Sequence, residues 1–193
     1  LSDGSPVVEL EAAKALWKLQ PDRDVIVPAL IRILSTKERW QAAYALGEMG
    51  PAAAASVTAL VNALEAEEVP RPFRTPPSAA LALGKIGQPA IEELAPLLEH
   101  EKARVRLSAL LAFGFMGKNG HDAVPHVMKL LGDKEAEVRH IAALTLSSIG
   151  AEPNRIVAGL KDCLGDEDIY VRSAAAAVLR DIAPEGDWAV QPE

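Results

Sequence analysis

One nine-residue string recurs through the chain, and its recurrence limits the possible folds more than any other feature. AAYALGEMG starts at Ala42, AALALGKIG at Ala79, ALLAFGFMG at Ala109, AALTLSSIG at Ala142 and AAAVLRDIA at Ala175, with a looser AAKALWKLQ at Ala12. From Gln20 through Gly50, Gly87, Gly117, Gly150 and Ala183, the final residues are spaced by 30, 37, 30, 33 and 33 residues. A period in this range is the mark of stacked supersecondary units, each too small to bury its own apolar face.

A second pattern lies between the strings: VPALIRIL ending at Leu34, VTALVNAL at Leu64, IEELAPLL at Leu98, VPHVMKLL at Leu131 and VAGLKDCL at Leu164. Counted back from each final Leu, apolar residues fall mostly at offsets 0, −1, −4 and −7, one face of a helix. Each unit therefore reads as two helices. Gly50, Gly87, Gly117 and Gly150 mark the turn between them, where glycine can adopt a positive φ at little cost. Only 4% of residues are aromatic, while alanine and leucine abound, which suits close helix packing better than sheets.

These units resemble HEAT repeats, in particular the short HEAT-like repeats of the phycobilisome-lyase type, over nearly all of residues 6–183. The stretches LLGDKEAEVRHIAALTLSSIG (Leu130 to Gly150) and CLGDEDIYVRSAAAAVLRDIA (Cys163 to Ala183) carry the likeness. An Asp before the first helix (Asp133, Asp166) and a Val-Arg pair at its start (Val105-Arg106, Val138-Arg139, Val171-Arg172) are the family signature. The resemblance implies an all-α, right-handed solenoid of about five to six stacked helix pairs. It implies one domain over 1–193, with repeats at about 6–36, 37–66, 75–100, 101–133, 134–166 and 167–183, and a tail at 184–193. Because the chain begins with Leu1 rather than Met, it is expected to be a piece of a longer protein. The arginines recur in register with the aspartates, so inter-repeat ion pairs are expected of them rather than ligand contacts.

The register breaks at AEEVPRPFRTPP (Ala66 to Pro77). From Leu64 to Ala79 the step is 15 residues where the regular step is 11, a four-residue insertion. Thr75 and Pro76 fall where the Val-Arg pair belongs, so this unit lacks the arginine. Pro77 can occupy the first turn of the next helix, which should be short. Arg71, Phe73 and Arg74 form an aromatic anchor flanked by cations on a stiff loop, a composition found at interaction hot spots. Equally, Phe73 could fold back over apolar surface left by the short helix.

Catalytic and metal chemistry find no support. His140 lies in a stretch similar to the His-Glu motif of the HEAT-repeat deoxyhypusine hydroxylases, but Ile141 follows it and no other repeat supplies the pair. His121 and His126 are five residues apart, off the i, i+4 spacing of a helical metal pair. GFMGKNG at Gly114 lacks the first glycine and the hydroxyl of a phosphate loop. The lone Cys163 sits at an apolar offset and reads as a buried hydrophobe, and a single cysteine fits a reducing compartment such as the cytoplasm. No cofactor is expected.

A net charge of −7 argues against a nucleic-acid partner, and no apolar run is long enough to span a membrane. The resemblance places the second helices on the concave surface. There, offsets −2, −3 and −5 supply Arg32, Asn62, Glu93, His126, Met128, Lys129, Lys161 and Asp162, a mixed surface suited to a protein or peptide. The expected function is a monomeric, noncatalytic interaction scaffold. The resemblance also implies a second possibility, a bilin or tetrapyrrole lyase or chaperone, and a third reading is a purely structural segment of a longer solenoid.

Overall fold

The computed structural model describes residues 5–19, 23–66 and 77–184, and every regular element among them is helical. Two compact units are present, Leu1–Pro96 and Leu97–Glu193.

In the first unit, α1 (Pro6–Leu19) packs on α2 (Arg23–Ile33); along the chain α3 (Arg39–Met49) is followed by α4 (Val57–Ala66) and α5 (Ser78–Ile86) by α6 (Ile91–Leu94), with α2 packed on α3 and α4 on α5. The second unit contains α7 (Ala103–Met116), α8 (Val124–Lys129), α9 (Ala136–Ser148), α10 (Pro153–Cys163) and α11 (Ile169–Ile182). The recurring string forms the first helix of each pair. These first helices pack against one another, α3 on α5 and α7 on α9 on α11, as in an α-solenoid. The string's alanines make that approach possible: Ala42, Ala79, Ala109, Ala142 and Ala175 are all fully or almost fully buried. Between the layers lie Leu46, Leu60, Leu64 and Leu83 in the first unit and Leu110, Phe113, Leu146 and Leu160 in the second. Burying each such side chain is worth about 1.5–3 kcal/mol relative to leaving it exposed.

Gly50, Gly87, Gly117 and Gly150 have φ of 56°, 78°, 58° and 65°, and among the described residues no other residue type takes a positive φ. At the first three ψ lies between −136° and −139°, a region open in practice only to glycine. After Gly50, Gly87 and Gly117 the chain passes through 3-10 turns into the second helix.

Two second helices are shorter than the apolar pattern suggests. α6 is a single turn that tightens into a 3-10 segment, Ala95–Glu99, where Pro96 has no N–H to continue the α ladder. α8 likewise ends in a 3-10 turn, Leu130–Gly132. Among the first helices α5 is the shortest, nine residues against 14 in α7. Pro77 caps it from outside the first turn, with φ −53° and ψ 130°, rather than sitting within the turn. Its carbonyl already accepts from the Leu81 N–H at 3.1 Å, and its missing N–H leaves no donor unsatisfied there.

Candidate binding surface

The repeated arginines are occupied by the fold. Arg106 donates from Nε and Nη2 to the two carboxylate oxygens of Asp133, both at 2.7 Å. Arg139 grips Asp166 in the same way at 2.7 and 2.8 Å. In both, Nη1 reaches back to two carbonyls of the turn before its own helix, His100 and Glu101 for Arg106, Asp133 and Lys134 for Arg139. Arg172 repeats that backward half, donating to the carbonyls of Asp166 and Glu167. The aspartates do further work, since Asp133 accepts from the Glu135 N–H and Asp166 from the Asp168 N–H. Arg139 holds the Asp166 carboxyl below the usual carboxylate range, helped by the Asp168 N–H, and Asp166 in turn raises Arg139. Side-chain exposures of 7–11% across the four groups show that this ladder is interior structure with no free face.

The second helices are different. Arg32, Asn62 and Glu93 are exposed on α2, α4 and α6 of the first unit. Arg32 lies 3.7 Å from Glu9, and Glu93 accepts a 2.9 Å bond from Thr58. In the second unit Lys129, Lys161 and Asp162 are exposed, with His126 and Met128 half-buried. Lys129 donates to Glu99 at 2.9 Å, and His126 Nδ1 stands 3.6 Å from the same carboxylate. Lys129, then His126 more weakly, keeps the Glu99 carboxyl below its ordinary value. Met128 and Asp162 line one shallow cavity of about 300 Å3 together with Leu131, Gly159 and Cys163. Arg71, Phe73 and Arg74 lie outside the described residues.

Sequence reasoning missed Thr58 and Glu99, the partners of two of its own candidates. Both sit on or just after a second helix, where spacing marks the position but not the pairing. His100 also finds its role here: its Nδ1 accepts from the Lys102 N–H at 3.0 Å, the turn contact that Asp133 and Asp166 make elsewhere. Cys163 is 4% exposed, and burial pushes its thiol up, away from the thiolate a nucleophile needs. Among the described residues no group of three His, Cys, Asp or Glu side chains could hold a metal ion, and no helix is long and apolar enough to cross a membrane.

Helix pairs stacked through buried alanines, turned at positive-φ glycines and joined by arginine forks define an all-α repeat protein of the solenoid class. Residues 91–180 match the family model for HEAT repeats, and residues 38–66 and 78–100 match the model for the PBS lyase HEAT-like repeat. The chain belongs to the HEAT-repeat family, with repeats of the phycobilisome-lyase type.

A solved complex of CpcE and CpcF of phycocyanin lyase from Nostoc sp. PCC7120 contains a similar chain. The identity is 25% and the TM-score 0.56, over 82% of this chain and 65% of that one. This chain thus spans less than two thirds of that relative's length. An engineered protein is similar at 20% identity and TM-score 0.55, over 95% of this chain and 96% of that one. A designed armadillo repeat protein in complex with the peptide (KR)4 aligns at 16% identity and TM-score 0.54, covering 89% and 86% of the two chains. No curated protein matches the sequence significantly.

Proposed function

We propose that this chain is a noncatalytic scaffold that holds a protein or peptide partner on the exposed faces of its second helices. The observation that carries the reading is the sorting of charge. Arg106, Arg139, Asp133 and Asp166 are consumed inside the stack, whereas Arg32, Glu93, Lys129, Lys161 and Asp162 stand exposed on second helices. Charged side chains of both signs beside half-buried Met128 give polar rim and apolar contact together, as protein interfaces do. The titratable groups that meet there among the described residues, Lys129 and His126 on the Glu99 carboxylate, are 42–66% exposed and lack the burial of a catalytic centre. The proline-rich insert, through Arg71, Phe73 and Arg74, adds a second contact in this reading.

The test is affinity capture from lysate of the source cells, with captured proteins identified by mass spectrometry, using the wild type and a variant carrying Arg32→Glu, Lys129→Glu and Asp162→Lys. Loss of a specific partner with helicity unchanged supports the reading. Equal capture by both proteins removes the second helices from the interface.

A second reading is favoured by the PBS lyase HEAT-like match and by the 25% identity to a chain of a phycocyanin lyase complex. It is a lyase or chaperone acting on a linear tetrapyrrole. Mixing the protein with a free bilin distinguishes the two: a saturable change in pigment absorption supports this alternative, and an unchanged spectrum leaves the scaffold.

A further inference from the structure

In the first unit a cavity of about 390 Å3 opens between α1 and α3. It includes a position of the string where the residue is unusually large. The sixth residue of a string faces the next first helix: a Cβ on Gly47 would lie 3.0 Å from the Ala82 Cα, and one on Gly114 would lie 3.9 Å from the Thr145 Oγ1. In α1 the sixth residue is Trp17, and it lines the cavity together with Ala45, the α3 counterpart of Ala82. Where α3 carries Gly47 close against Ala82, α1 carries an indole, and that indole forms part of the cavity wall.

The floor is apolar, made by Ala13, Ile26 and Leu30, each 0–1% exposed. Trp17 and Tyr44 stand at its sides, and Lys14, Lys18 and Glu48 at its rim. Lys14 is engaged by Glu11 at 2.9 Å, and Glu48 by Lys85. Lys18 has no ion-pair partner among the described residues. Among the described residues, the rim charge without an ion-pair partner is therefore positive, in a chain whose net charge is −7.

We infer that this cavity is an anchor site for a partner protein, taking one bulky apolar side chain of phenylalanine or leucine size with a carboxylate beside it that meets Lys18. Rigid Trp and Tyr walls around an apolar floor are what buried interface anchors use. A small metabolite would need several converging polar groups to orient it, and here a single cation is uncommitted. The cavity shares no residue with the second-helix surface proposed above, so it stands whether or not that surface binds.

The test is an NMR titration of the 15N-labelled full chain with two capped tetrapeptides, acetyl-Gly-Phe-Asp-Gly-amide and acetyl-Gly-Phe-Lys-Gly-amide. The readout is the Trp17 indole N–H signal, one of three in the chain and assigned with Trp17→Phe. The acidic peptide should give a saturable shift with affinity at least about threefold above that of the basic one. Lys18→Glu, at an exposed position, should reverse the preference. A Trp17 signal unmoved up to about 10 mM peptide, weaker than any specific contact, would overturn the proposal. So would a preference that Lys18→Glu leaves unchanged.

Discussion

In the second unit, α7, α9 and α11 are joined by arginine forks whose side chains are 7–11% exposed. In the first, α3 and α5 meet where Gly47 faces Ala82, and their charged link, Lys85 to Glu48, lies at the surface with exposures of 39% and 47%. Both units descend from the same string, yet one is locked by buried ion pairs and the other by backbone proximity. The reason is in the connections. The first unit has Glu9 at the arginine position of α1 and Pro76 at that of α5, while Thr36, not an Asp, caps the turn before α3 through the Glu38 N–H at 3.2 Å. Without a buried ladder, close packing carries the first helices apart from that surface ion pair, and it favours very small residues at the seam. At the α1–α3 seam Trp17 takes the place of such a small residue and lines a cavity.

The strongest blow to this contrast is Arg139→Leu, which strands a nearly buried Asp166. It should cost about 3 kcal/mol in urea unfolding, and Arg139→Lys should recover less than half of that, since an ammonium cannot fork. Next come the seam glycines, whose signs should differ. Gly47→Ala should destabilise by roughly 1–2 kcal/mol, because the new methyl meets backbone. Gly114→Ala, with 3.9 Å of room, should stabilise by up to about 0.5–1 kcal/mol, as expected for replacing glycine within a helix. Ala142→Leu, at a fully buried site, belongs to the same overpacking class at about 1–3 kcal/mol.

Acid titration separates the units further. The folded Asp166 carboxyl titrates below its unfolded value, so its contribution is complete above about pH 4 and is lost as pH falls through the folded value. Stability measured from pH 6 to pH 2 should therefore fall more steeply for wild type than for Arg139→Leu. The smallest effect belongs to Lys85→Gln, about 0.5 kcal/mol or less and fading in high salt.

Much of this could be read from the sequence because repetition supplies its own control. Val-Arg and Asp recur in register, and each fork joins residues 27 apart. The four glycine turns were legible for the same reason. What escaped were departures from the repeat. Trp17 stands where three of its counterparts are Gly47, Gly84 and Gly114, and its place in the cavity wall depends on which helix that position approaches. Pro96 in α6 sits within an intact apolar pattern, yet its absent N–H converts the helix to a 3-10 turn. His100 reads as a stray histidine until its ring nitrogen is seen accepting a backbone N–H where the other turns use Asp. Among the candidate site residues, Arg32, Asn62, Glu93, Lys129, Lys161 and Asp162 are exposed and His126 and Met128 half-buried, while Ala29 and Val61 at the same offsets are buried. The pairings with Thr58 and Glu99 were not legible, since side-chain pairing across helices depends on rotamers that spacing does not encode.

Two double-mutant cycles run in parallel by urea unfolding test the central contrast most directly, Arg139→Leu with Asp166→Leu and Lys85→Met with Glu48→Met. The arginine fork should show a coupling energy of about 2 kcal/mol or more, and the surface pair less than about 0.5 kcal/mol. Couplings of equal size would contradict the view that the two units are held together in different ways.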